Sequence, residues 1–92
     1  MTPGYHARLA ETADNTRAIL HIRISTRPCA PVLTAITACA GIDRCYSVSG
    51  EQMDAIALAS VRTAEELSLL IDRLSGLDHV ASVASTIILA EY

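Results

Sequence analysis

Three cysteines and three histidines are the side chains of this 92-residue sequence best suited to ligate a metal or to act as nucleophile and base. Their spacing supports neither role. Cys29, Cys39 and Cys45 are odd in number and include no C-x-x-C pair, so they outline neither a disulfide framework nor a zinc site. Free thiols in a core account for them. His6, His21 and His79 are scattered, with no two at ligand spacing, and no metal or cofactor is assigned. As general bases only His21, beside Arg23, and His79 offer themselves. Neither belongs to a legible set of nucleophile, base and orienting group, so no catalytic residue is assigned.

The charges are more informative. All seven basic residues are arginine, five of them within residues 1–46, whereas seven of the ten acids lie in residues 47–92. The second half thus carries a formal charge of −5 and the whole chain −3. Gripping a phosphate backbone takes several cations on one face. Contact with DNA is therefore expected only through a separate domain.

The elements that would position these groups follow from hydrophobic periodicity. In "AILHIRI", residues 18–24, Ala18, Leu20, Ile22 and Ile24 alternate with Ile19, His21 and Arg23, which is a strand with one buried face. After "STRP" the period lengthens: Cys29, Val32, Leu33, Ile36, Cys39 and Ala40 form one helical stripe. Pro28 and Pro31 are tolerable only near its first turn, and Gly41 stands as its stop. Residues 42–49 read as a strand, "GEQ" as a turn, and 53–61 as a third strand. Thr63 and Glu66 have capping-box spacing, in which the hydroxyl accepts from the third amide of the helix and Glu66 reaches back to the cap amide. The helix they open buries Leu67, Leu70, Ile71 and Leu74 and ends at Ser75 and Gly76. A last strand runs over about 80–90.

Strand, helix, strand, strand, helix, strand predicts a ferredoxin-like α+β fold: four antiparallel strands with two helices on one face. A chain of 92 residues buries only a modest fraction of its surface, yet 51% of its residues are hydrophobic. The strands at 53–61 and 80–90, taken as adjoining, carry apolar or small residues on both sides. A second sheet is expected on the uncovered face, with Ala55, Ala57, Ala59 and Ala84 letting the two sheets of a homodimer approach. The longest apolar run is far short of a membrane span and the N-terminus lacks the apolar stretch of a signal peptide, so a soluble, cytoplasmic protein is expected.

Four stretches then resemble the C-terminal effector domain, or RAM domain, of the Lrp/AsnC (feast/famine) transcriptional regulators. "GYHARL" matches a G-Y-x-A-x-L connector at Gly4, Tyr5, Ala7 and Leu9. "IDRCYSVSG", residues 42–50, follows a V-x-x-C-Y-x-V-x-G pattern. "EQMDAIALAS" is an acidic turn leading into an apolar strand, and "RLSGLDHVASVASTIILAEY" looks like the family's closing segment. The resemblance implies a connector over residues 1–15 and a RAM domain over 16–92. It further implies ligand sensing and oligomerisation as homodimers or octamers, amino-acid binding in transcription regulation, and no helix-turn-helix within the chain. Either a fragment of a longer regulator or a stand-alone domain would look this way. The implied effector-binding residues are Gly50, Glu51, Gln52 and Asp54 of the turn, with Ser85 of the closing strand. Backbone amides around a glycine suit a carboxylate and a nearby acid suits an ammonium group. Two details depart from the family: its G-D-x-D turn becomes Gly50-Glu51-Gln52-Met53-Asp54, and its two threonines become Val83 and Ser85. Two other readings stay open. Gly50 can serve merely as a turn former beside solvated acids, and the fold also carries small dimeric enzymes and purely structural oligomerisation modules.

Overall fold

The computed structural model describes residues 15–92. The "GYHARL" segment and the rest of the connector up to residue 14 lie outside the described residues. Six elements follow one another: β1 (Thr16–Ile24), α1 (Ala30–Thr37), β2 (Ile42–Ser47), β3 (Ala55–Val61), α2 (Ala64–Ser75) and β4 (Val80–Ile87). The strands form one antiparallel sheet in the order β2-β3-β1-β4. This is the predicted ferredoxin-like arrangement, with α1 against β2 and α2 against β3 and β4.

The alternation in β1 sets the two faces. Ala18, Leu20, Ile22 and Ile24 are buried under the helices, and the first three stand opposite Ala59, Ala57 and Ala55 of β3, which are buried with them. Small residues along the sheet leave room for Val32 and Ile36 of α1 and Leu67, Leu70 and Leu74 of α2, and together these make the core. Ile71 is half-buried at its margin, as are all three cysteines, which are free thiols. Burial pushes the Cys45 thiol pKa up, away from the reactive thiolate form.

Three sequence-based expectations are corrected here. Ala55, Ala57 and Ala59 do not line the uncovered face. A strand reading Ala-Ile-Ala-Leu-Ala is apolar on both sides, so hydropathy leaves its parity undecided; pairing with β1 turns the alanines toward the helices and Ile56 and Leu58 outward. The strands at 53–61 and 80–90 do not adjoin either, because β1 lies between them. Gly41 stands beyond the end of α1, at the turn into β2. There its φ of +97° is a conformation that L side chains resist, and an added Cβ would come within 3.1 Å of Val61.

The capping box at α2 forms with a shift. The Glu66 amide donates to Thr63 Oγ1 at 3.1 Å as expected, but the Glu66 carboxylate accepts from the amide of Arg62, at 3.2 Å, one residue before the cap. By contrast α1, only eight residues long, has no side-chain cap and depends on its packing.

No helix among the described residues covers the second face of the sheet. Register puts Ile19, His21 and Arg23 of β1 there, flanked by Ile56 and Leu58 of β3, Tyr46 of β2, and Ala84 and Thr86 of β4. His21 Nε2 lies 3.3 Å from Thr86 Oγ1, whereas its Nδ1 is buried without a hydrogen-bond partner. No helix among the described residues is long and apolar enough to cross a membrane.

Candidate functional site

The turn between β2 and β3 is built from main-chain bonds. The Val48 amide donates to the Asp54 carbonyl at 3.0 Å, closing the loop, and the Asp54 amide donates to the Ile22 carbonyl at 2.8 Å, fastening it to β1. Within the loop Gly50, Glu51 and Gln52 are exposed and Met53 is half-buried. Gly50 does not adopt the left-handed conformation expected of a turn glycine. Its missing side chain matters for another reason: a Cβ would sit 3.3 Å from Met53 Cγ.

Asp54 is not a loosely solvated turn acid. One carboxylate oxygen accepts from the Ile24 amide at 2.7 Å, and the other pairs with Arg27 Nη2 at 2.8 Å. Arg27 in turn donates through Nη1 to the carbonyls of Ile24 and Thr26, at 3.0 and 2.8 Å. The Ile24 amide is the main cause of a pKa held below the ordinary aspartate range; burial opposes it, and the Arg27 and Arg23 charges add to the lowering. Asp54 thus clamps the turn onto the end of β1. Each of its carboxylate oxygens has a partner, whereas Ser49, Glu51 and Gln52 are the exposed polar residues of the loop.

Sequence reasoning did not single out Arg27. It lies 27 residues from Asp54, and no local pattern announces a pair that only the packing of the β1–α1 connection against the turn creates. Ser85 is not brought to the turn within one chain. It stands opposite Leu20 on β4, and β1 separates β4 from β3. Among the described residues no group of three or more His, Cys, Asp or Glu is placed to hold a metal.

Solved structures with this arrangement include transcriptional regulators. A protein of Thermus thermophilus superposes with a TM-score of 0.77 at 23% identity, over 84% of this chain and 96% of its own. The leucine response regulatory protein of Mycobacterium tuberculosis superposes with a TM-score of 0.67 at 28% identity, and the feast or famine regulatory protein of the same organism, complexed with L-methionine, at 0.67 and 26%. Both of the latter cover all of this chain, which spans 58% of theirs. No curated protein sequence matches. The family model of the Lrp/AsnC ligand-binding domain matches residues 17–92, and the chain belongs to that family.

Proposed function

We propose that the chain is the ligand-sensing and oligomerisation domain of an Lrp/AsnC-type transcriptional regulator, with residues 1–15 as connector and 16–92 as the RAM domain. Its effector is a small molecule such as a free amino acid, and it has no catalytic role. The observation that carries this reading is the family match over residues 17–92. The mycobacterial feast or famine protein complexed with L-methionine supplies the ligand class.

The Gly50–Asp54 turn is the proposed receptor. Main-chain amides beside Gly50 would take the effector's carboxylate, Glu51 would take its ammonium group, and Gln52 would add a neutral polar contact. Asp54 holds the loop in place for them. Ser85, on the far side of β1, would join only from another copy of the chain in an assembly. The uncovered sheet face would pair two copies into a homodimer, and dimers would build toward an octamer with the turn at the contacts. DNA would be reached only through a helix-turn-helix outside the described residues, and such a regulator would work in the cytoplasm.

Thermal melts with each amino acid test this. A ligand at about one hundred times its Kd stabilises the folded state by roughly 2.7 kcal/mol. L-Methionine or another amino acid is expected to raise the Tm of the wild type, and Glu51→Gln is expected to reduce that gain. If no amino acid moves the Tm or perturbs the turn, sensing is refuted and a purely structural oligomerisation module remains.

A further inference from the structure

The geometry points to a second ligand site, for a small monocarboxylate with an aliphatic tail, in the cleft where α2 meets the end of β3. The cleft encloses about 300 Å³, at the small end of the range for ligand pockets. It lies near Val61, whereas the turn precedes Ala55. The length of β3, about 20 Å at its usual rise, therefore separates it from the receptor proposed above. It is also on the helix side of the sheet, so pairing through the uncovered face would leave it open.

The lining is divided by chemistry. Gly41, Val61 and Leu70 form an apolar floor, and Leu69 stands at the lip with 57% of its surface exposed. Arg62, just past β3, and Arg73, in the last turn of α2, flank it. Among the described residues neither guanidinium makes an ion pair. In a chain whose second half is strongly acidic, two such arginines beside exposed apolar surface form a local cationic site. Glu66 also borders the cleft, but its carboxylate accepts from the Arg62 amide as part of the helix cap.

The charge on the lining is therefore +1, which a monoanion balances. Guanidinium groups grip carboxylates through paired hydrogen bonds, while Leu69, Leu70 and Val61 would cover a branched tail of a few carbons. A zwitterion, neutral overall, would leave that charge unbalanced. This separates the ligand class of the cleft from that of the turn.

The test uses the full chain, ¹⁵N-labelled, titrated with 4-methylpentanoate, with its neutral analogue 4-methylpentan-1-ol, and with L-leucine. The acid is expected to give saturable amide shifts at Gly41, Val61 and Leu70. The alcohol should bind at least about tenfold more weakly, as should the acid to an Arg62→Gln, Arg73→Gln double variant. Both arginines are exposed, so the variant should stay folded, with only the small drop in Tm that losing the Arg73 charge at the end of α2 brings. Leu69→Asn should weaken the acid through loss of tail contact, and Glu51→Gln should leave it unchanged. Equal affinity for acid and alcohol, undiminished binding to the double variant, or shifts confined to residues 50–54 would each overturn the site. L-Leucine should bind the cleft at least about tenfold more weakly than the acid, and equal shifts at Gly41, Val61 and Leu70 with both would overturn the ligand class.

Discussion

Asp54 joins the sheet to the turn, and its protonation connects acidity to stability. Because the folded-state pKa lies below the unfolded one, the carboxylate's stabilisation is fully present above about pH 4 and is lost as the pH falls through the depressed folded value. Asp54→Ala is expected to lower the Tm at neutral pH and to flatten its decline below pH 4, which melts from pH 7 to pH 2.5 will show. Arg27→Met should retain part of the wild-type acid sensitivity, since the Ile24 amide, the largest single cause of the shift, and the Arg23 charge remain. If Arg27→Met flattens the acid limb as fully as Asp54→Ala does, the arginine is the main partner instead.

At the scale of elements, the two helices are held differently. Beyond its capping box, α2 has Glu65 and Glu66 in its first turn and Arg73 in its last, each of the sign that the helix dipole favours. Thr63→Ala is expected to cost about 0.5–2 kcal/mol in urea unfolding. Leu70 is 3% exposed, and Leu70→Ala should cost ~2–5 kcal/mol, enough to threaten folding in so small a domain. Ile71→Ala, at the half-buried margin, should cost clearly less. Equal losses at the two positions would mean that α2 is rotated from the orientation described.

For the whole molecule the uncovered sheet face is decisive. Ile19, Ile56, Leu58 and Tyr46 are large apolar groups on a face that no helix among the described residues covers, a patch of the kind monomeric proteins rarely expose. They give a two-fold pairing more apolar area than the alanines first expected there. A stable pairing would bury about 1,200–2,000 Å² in total. Sedimentation at micromolar concentration should show a dimer or a larger assembly for the wild type and a monomer for Leu58→Glu. A well-folded wild-type monomer would refute the pairing. With a net charge of −3, the chain should also give no operator-specific band in a mobility-shift assay at physiological salt.

The sequence by itself determined the order and type of every element, because periods of two and of three to four residues are local properties that the chain displays before folding. The Thr63 cap was legible for the same reason, as was the buried face of β1, where apolar and polar residues alternate cleanly. Tertiary structure alone decided which face β3 shows to solvent, since Ala, Ile and Leu are all apolar and only pairing with β1 breaks the tie. It also decided how the turn is held: Asp54 reads in sequence as an implied effector-binding acid or a solvated one, and the fold makes it a clamp by carrying Ile24 and Arg27 to it. Contacts across 27 and 30 residues leave no periodic trace, so the groups free to meet a ligand were decided by packing.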